Sequence, residues 1–551
     1  MCSMKPLALI VLDGWGLAPP GPGNAISLAK LNHIPRLWAS YPHTQLAASG
    51  VDVGLPPQEN GNTETGHINI GAGRVVYQDL PRINMAITDG SFFTNDAFLG
   101  AIRYVSEHKS HLHLMGLISD AGVHSSREHL WAILTLLKQY KEQYKCACKA
   151  FLHLFTDGRD SPPASAKRFM EDVEEHIRSL GVAAIATIIG RYYAMDRDRR
   201  WERTEAAYLA LTELVERRAP SAPAAIDQAY HEGKTDEFIE PTIILDPTGN
   251  PYPRVGNHDA VIFFNYRIDR PRQLTRAFVL PDFEEYKVPA SFDPYAVKYY
   301  HKHLVEEDTR SVPFTRKVRL PNLFFVTMTQ YERDLPCVVA YPPEPVKNTL
   351  GQVFSDHNLR QLRLSETEKE RFVTYYFNGM HEMPFPGEDR LIVPSPKVAT
   401  YDTAPQMSAP QLADKLLDRL SIDVYSFSLI NFANPDMVAH TGNIKAAIAA
   451  CEVTDACVGT IVSAVLARGG TCVVTADHGN VEEMLDADGN MDTEHSTFPV
   501  PFIMINSNFK SLPTLLPAGR LADIAPTILS FLQIPVPTEM TGNNLLADLV
   551  R

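Results

Sequence analysis

An α/β fold in two domains, one of them discontinuous, follows from three observations. At 551 residues the chain exceeds the size at which a single core usually keeps growing. Its short apolar, β-branched runs repeatedly end on Asp, His or Arg, as strands do when they deliver side chains to one edge of an open sheet. The first strand and the last third of the chain carry donors that belong to one site, whereas the middle reads as a separate βα series. The expected boundaries are 1–78 with 345–551 for the discontinuous domain and 79–344 for the inserted one.

Taken in order, Leu7-Ala-Leu-Ile-Val-Leu12 is a strand that stops on Asp13, and Asn24 opens a short helix after a loop at 19–23. Gly61-Asn-Thr63-Glu-Thr-Gly-His67 sets Thr63 between glycines that permit a tight strand-to-helix turn. Such a turn aims a hydroxyl and nearby N–H groups at a phosphoryl group. The first crossing between domains falls near Gln78. Strands at 112–118, 150–155, 184–189 and 261–265 then lead into Ser-Asp-Ala-Gly-Val-His124, Thr-Asp-Gly-Arg159-Asp160, Gly-Arg191 and Tyr-Arg267-Ile-Asp-Arg270. Residues 166–180 form an amphipathic helix stopped by Gly181. The irregular stretch 281–320 reads as a surface excursion, 323–328 resumes a strand, and Tyr341-Pro-Pro-Glu-Pro345 crosses back. The aromatic run 372–377 reads as a strand, 423–432 leads to Asp436, and 443–468 is a long helix closed by Gly469-Gly470. Thr471-Cys-Val-Val-Thr is a strand running into Ala-Asp477-His478-Gly-Asn, and the helix at 521–529 closes the chain.

The ends of these elements carry the chemistry. Asp436 and His440 stand four residues apart, hence on one face of a helical turn, and His495 follows in Thr-Glu-His-Ser. Together with Asp13, Asp477 and His478 they offer the mixed oxygen and nitrogen donors that Mn²⁺, Zn²⁺ or Co²⁺ accept, which points to a bimetal site. Metal pairs of this kind activate an oxygen nucleophile, for which Thr63 is the candidate.

Composition narrows the partners. With 51 basic against 65 acidic residues the net charge is −14, which argues against nucleic acid or an anionic membrane and asks for locally concentrated arginine around any small anion. No signal-type leader is read at the N-terminus, and no apolar run approaches the roughly 20 residues needed to span a bilayer. Seven cysteines without a C-x-x-C pair suggest reduced thiols in a cytoplasmic protein, expected to be a monomer.

Four motifs, Leu12-Asp13-Gly-Trp-Gly, Gly61-Asn-Thr-Glu-Thr-Gly-His67-Ile-Asn-Ile-Gly-Ala-Gly-Arg74, Asn434-Pro-Asp436-Met-Val-Ala-His440-Thr-Gly442 and Ala476-Asp-His-Gly-Asn480, carry a family resemblance across nearly the whole chain. They resemble the cofactor-independent phosphoglycerate mutases, a branch of the alkaline phosphatase superfamily. The resemblance implies an alkaline-phosphatase-like metal domain with an inserted α/β substrate domain. It implies two divalent ions, Mn²⁺ foremost with Co²⁺ or Mg²⁺ as alternatives, one held by Asp13, Thr63, Asp477 and His478 and the other by Asp436, His440 and His495. It further implies that 3- and 2-phosphoglycerate interconvert through phospho-Thr63 without bisphosphoglycerate. Asp160 would act as general acid/base, and Lys369 would lie beside the phosphoryl group. His124, Arg159, Arg191, Arg197, Arg267 and Arg270 would hold the substrate's carboxylate and phosphate. Four positions depart from the family pattern: Thr63 where serine is usual, Thr65 for an apolar residue, Ala121 for glycine and Ser126 for histidine. A related phosphatase, or an inactive protein that binds metal and phosphoglycerate, would share much of this pattern.

Overall fold

The computed structural model describes residues 5–146, 148–286, 312–512 and 514–549. Most of the 281–320 excursion lies outside the described residues. The chain divides into two compact units, Met1–Gln78 with Glu344–Arg551 and Asp79–Pro343.

The first unit is built on a sheet whose order is Glu388–Val393, Gln361–Glu366, Phe427–Phe432, Leu7–Leu12, Thr471–Thr475, Val500–Asn506, His43–Ala47 and Gly519–Arg520. Leu7–Leu12 is buried along its whole length and pairs in parallel with Phe427–Phe432 on one side and Thr471–Thr475 on the other. Val11 stands level with both Asn431 and Thr475. All three strands therefore release the chain at the same edge, at Asp13, just before Asp436, and at Asp477. Parallel strands of one sheet require a long crossover, and helix Ile444–Ala467 supplies it between Phe427–Phe432 and Thr471–Thr475, which flank Leu7–Leu12. Asn443 caps this helix by accepting the Ala446 N–H, and Gly469 closes it with a left-handed φ of +68°.

By length and composition Ile444–Ala467 is apolar enough to cross a membrane, so the expectation that no segment is so needs correction. Here 56% of its apolar window is buried, with Ala447, Ala450, Cys451, Val458 and Ile461 in the sheet's core. Its Asp455 accepts the N–H groups of Asn32, His33 and Ile34 and so caps helix Ile34–Ser40. The run 372–377 is also not a strand: Phe372–Tyr376 is a wide helical turn in which Phe372 and Tyr376 stack at 5.6 Å and Thr374 donates back to the Glu370 carbonyl. Apolar aromatics four residues apart satisfy a helix face as well as alternate strand positions, which is why the pattern misleads.

The second unit's sheet runs Val338–Tyr341, Phe324–Thr329, Ala260–Phe263, Leu112–Ile118, Ala150–Thr156, Ala183–Gly190, Thr242–Ile244 and Arg218–Ala219. Among the described strands only the pairing of Thr242–Ile244 with Ala183–Gly190 is antiparallel, so Thr242–Ile244 and its parallel neighbour Arg218–Ala219 run against the other six. Ile118, Thr156 and Gly190 end level with one another, so the segments bearing His124, Arg159, Asp160 and Arg191 leave a common edge. Helix Ala166–Leu180 covers the sheet and stops at Gly181 (φ +67°). Cys146 and Cys148 are joined by a disulfide, which corrects the expectation of reduced thiols for this pair; Cys337, Cys451, Cys457 and Cys472 are free.

A polar ladder crosses this sheet: Asp259 meets His113 Nε2 at 3.1 Å, His113 Nδ1 meets His153 Nε2 at 2.9 Å, and His153 Nδ1 meets Thr187 Oγ1 at 3.0 Å. Every contact is satisfied with both rings neutral. Burial holds His113 below its ordinary pKa and His153 well below it. Burial also takes His129 down to about 4, and burial with the Arg191 charge takes His124 down to about 3. Below pH 6.5 the unfolded chain therefore binds protons at these four rings that the folded chain refuses. Glu366, pushed up to about 7 by burial, opposes them, as do Asp236, Glu174, Glu482 and Glu483, whose carboxyls burial also pushes up. Folding stability is expected to fall as pH drops from 6.5 toward 5, by about 1.4 kcal/mol per pH unit for each uncompensated ring. Urea unfolding midpoints at pH 7, 6 and 5 check this, and a flat profile contradicts it.

Candidate active site

The first unit gathers its donors where Leu7–Leu12, Phe427–Phe432 and Thr471–Thr475 end. Thr63 is the first residue of helix Thr63–Ala72, with Asn62 as its cap. It follows the short 3₁₀ turn Gly50–Val53 and a loop rather than a strand, which corrects the expected strand-to-helix turn. Its flanking glycines serve close approach: a Cβ on Gly61 would run into the Ala48 carbonyl, and one on Gly66 into the Asp477 carbonyl. Thr65 Oγ1 donates to the Asn62 carbonyl at 3.1 Å, so a hydroxyl at this buried position is used to tie down the helix start.

Thr63 Oγ1 lies 2.9 Å from His478 Nε2, 3.0 Å from Lys369 Nζ and 3.5 Å from Asp13 Oδ1. The Lys369 ammonium also donates to Asp13 Oδ1 at 2.6 Å and Asp436 Oδ2 at 2.7 Å. Burial works against its charge, yet these two carboxylates hold its pKa above the ordinary lysine range. Burial likewise disfavours charge on His478, but Asp477 and Asp13 push it up to about 10. Asp436 stays well below the usual carboxylate range despite burial, because of Lys369 and His440.

Asp436 opens helix Asn434–Ala439, and His440 caps its C-terminal end with Nε2 3.3 Å from Asp436 Oδ1. His495 Nε2 lies 3.5 Å from the same oxygen and 3.2 Å from His440 Nε2. His440 Nδ1 faces the Thr493 carbonyl and His495 Nδ1 the Gly61 carbonyl, and a carbonyl can only accept. Each ring therefore carries a hydrogen on Nδ1, and wherever neither ring holds a second proton, two imidazole lone pairs and a carboxylate oxygen converge on one point. Such a convergence repels itself unless a cation is shared. His478 Nδ1 faces the Gly479 carbonyl, so its Nε2 is the atom that would offer a lone pair once a divalent cation displaces the ring's second proton, and Asp477 Oδ2 is buried without a hydrogen-bond partner. Both donor sets thus fit divalent ions, and Asp436, His440 and His495 have ligand atoms within 4.8 Å of one another, as do Asp13, Asp436 and His478. A cleft of about 540 Å³ lined by Asn60, Gly61, Asn62, His440, Thr493 and His495 opens beside them.

Sequence reasoning missed the residues behind the ligands. His67 Nδ1 faces the Thr63 carbonyl at 3.0 Å and lies 3.2 Å from Asp477 Oδ2. Asn431 donates to Asp13 Oδ2 at 2.7 Å, and Asn480 to Asp436 Oδ1 at 2.8 Å. The i,i+4 spacing of Thr63 and His67 on one helix was the available signal; Asn431 is hidden at the end of an apolar run.

In the second unit, Arg191 is buried and its Nη1 contacts both Asp157 and Asp160, the latter at 2.6 Å, while Nη2 meets His124 Nε2 at 3.1 Å. Asp269 joins Arg197 at 2.6 Å and Arg267 at 3.1 Å. Arg159 pairs with Glu237, and Arg270 donates to the Met195 carbonyl at 3.1 Å. Burial, with Arg191 and Arg197 nearby, brings Arg270 down to about 10. All seven expected residues belong to this cluster, in which five guanidiniums face Asp157, Asp160, Asp269 and Glu237. Asp157 and Asp269 were within the quoted motifs but unassigned. Ala121 needs no glycine, because the left-handed turn falls on Gly122 (φ +64°), and the Ser126 hydroxyl donates to Glu128.

An α/β unit that collects carboxylates and imidazoles around a buried hydroxyl and amine, with an arginine-rich α/β unit inserted into its sequence, is the two-unit organisation that the motif resemblance leads one to expect. Residues 83–333 match the family model described as BPG-independent PGAM N-terminus. The 2,3-bisphosphoglycerate-independent phosphoglycerate mutase of Chloroflexus aggregans is 49% identical over 551 residues, covering 99% of both chains. That of Moorella thermoacetica is 50% identical over 542 residues, covering 98% of each. A crystal structure of Leishmania mexicana phosphoglycerate mutase at low cobalt concentration is 28% identical with a TM-score of 0.58, covering 98% of this chain and 97% of that one. The chain belongs to the 2,3-bisphosphoglycerate-independent phosphoglycerate mutases.

Proposed function

We propose that the chain interconverts 3- and 2-phosphoglycerate through a phospho-Thr63 intermediate, with two divalent ions and without bisphosphoglycerate, as a cytoplasmic step of glycolysis. The observation that carries this is the placement of Thr63 Oγ1 within 3.0 Å of both His478 Nε2 and Lys369 Nζ, at the edge where the carboxylates collect. Asp13, Thr63, Asp477 and His478 would hold one ion, and Asp436, His440 and His495 the other. When bound, such ions lower the pKa of a coordinated hydroxyl and neutralise phosphoryl oxygens.

Thr63 takes the phosphoryl group from one glycerate hydroxyl and returns it to the other. Lys369, already donating to Thr63 Oγ1, stabilises negative charge on that oxygen and on the group it receives. Arg159, Arg191, Arg197, Arg267 and Arg270, with His124, grip the carboxylate and phosphate and keep hold of the glycerate while it reorients. Asp160 is partly exposed and braced by Arg191, so it can pass a proton to and from the glycerate hydroxyl as the phosphate leaves and returns.

Metal removal tests this reading. Protein dialysed against chelator until its metal content is negligible is expected to lose mutase activity in assays free of bisphosphoglycerate. Mn²⁺ or Co²⁺ should restore activity better than Ca²⁺, because three of the proposed ligands are imidazoles and Ca²⁺ prefers oxygen. Full activity of the stripped protein overturns the reading.

A further inference from the structure

We propose that Glu482 is a positioning residue that clasps together the ligand-bearing loops of both ion sets, a role that rests on the two-ion reading above. Its side chain is buried, at 3% exposure. Oε2 accepts the N–H of Gly16 at 2.8 Å and of Asn480 at 2.9 Å, and Oε1 accepts the Ser496 hydroxyl. Each donor sits beside a ligand: Gly16 three residues after Asp13, Asn480 two after His478, and Ser496 next to His495. Through Asn480, whose side chain donates to Asp436 Oδ1 at 2.8 Å, the clasp reaches the fourth loop.

A Cβ on either Gly16 or Gly479 would overlap the Glu482 carboxyl group, so the loops close on it as only glycine allows. Among the described residues Glu482 forms no ion pair with Lys or Arg, and its acceptors are taken by neutral donors. The clasp therefore depends on hydrogen-bond geometry rather than on charge. Removing it leaves two buried backbone N–H groups without an acceptor and frees loops from both ion sets to move relative to each other. Outer groups that orient metal ligands typically carry 10- to 100-fold in affinity.

The full chain, stripped of metal, is titrated with Mn²⁺ by calorimetry and by activity as wild type, Glu482→Ala, Glu482→Gln and Ser496→Ala. Wild type should bind two ions. Glu482→Ala should weaken both by about 10- to 100-fold and raise the Mn²⁺ needed for half-maximal activity equally. Its kcat at saturating Mn²⁺ and its KM for 3-phosphoglycerate should stay near wild type. Glu482→Gln should bind close to wild type, because its carbonyl can serve Gly16 and Asn480 while its amide donates to the rotatable Ser496 hydroxyl. If Glu482→Ala does not fold, Ser496→Ala decides, with a several-fold loss expected for one ion and little change for the other. A wild type that binds no Mn²⁺ overturns the two-ion reading itself. Two ions bound by wild type, with Glu482→Ala or Ser496→Ala lowering only the melting temperature and not the Mn²⁺ midpoint, overturns the role of Glu482 alone.

Discussion

Thr63→Ala is expected to lose mutase turnover and any slow phosphatase activity together, by about 10⁴-fold or more, because no other hydroxyl stands between Lys369 Nζ and His478 Nε2 among the described residues. Thr63→Ser keeps the oxygen and removes one methyl. That change loosens χ1 and eases an in-line attack, so activity should equal or exceed that of wild type. Rapid-quench digestion after mixing with 3-phosphoglycerate should place the phosphate on Thr63. An alanine variant that turns over at the wild-type rate with metal bound would move the nucleophile elsewhere.

Lys369→Met is expected to lower kcat by about 10²- to 10³-fold, the usual loss for one preorganised donor at a developing charge. It also removes the only ammonium that bridges Asp13 and Asp436 among the described residues. Breaking a buried pair from one side costs roughly 3–5 kcal/mol. That loss should be largest in chelator and shrink with Mn²⁺, since bound cations supply the positive charge that the variant lacks. Urea unfolding with and without Mn²⁺ checks the stability effect, and steady-state assays check kcat. An identical loss in both conditions would mean that Lys369 and the ions do not share these carboxylates.

The strand ends were legible because buried parallel strands are apolar along their length and release polar residues together at one edge. The pattern alone puts Asp13, Asp477 and His478 at the edge of one sheet and, in the second unit, Arg159, Asp160 and Arg191 at the edge of the other. The pairing of Asp436 with His440 followed from helical spacing alone. What stayed hidden depends on contacts far apart in sequence. Asn431 and Glu482 look like an ordinary strand end and an ordinary loop acid until they meet Asp13 and Gly16. The run 372–377 misled because its aromatic residues fit either period, and its helical turn is settled by packing against helix Thr63–Ala72. The Cys146–Cys148 disulfide closes across a single residue, a spacing that no redox or metal pattern singled out.

The central position of Leu7–Leu12 sets a timetable for folding. Its two strand neighbours are made long after it: Asn431 lies 418 residues beyond Asp13, and Asp477 lies 463 beyond Gly14. At roughly 5–20 residues per second, on the order of 20 to 90 s separate synthesis of this strand from that of its partners. During that interval Asp79–Pro343, with its own sheet and core, can fold as a unit. The nascent chain meanwhile carries an unpaired, wholly apolar strand near its start. Long-range pairing of this kind is slow and exposed to aggregation, so a strand buried along its whole length in the finished protein stands open to misassociation during its synthesis.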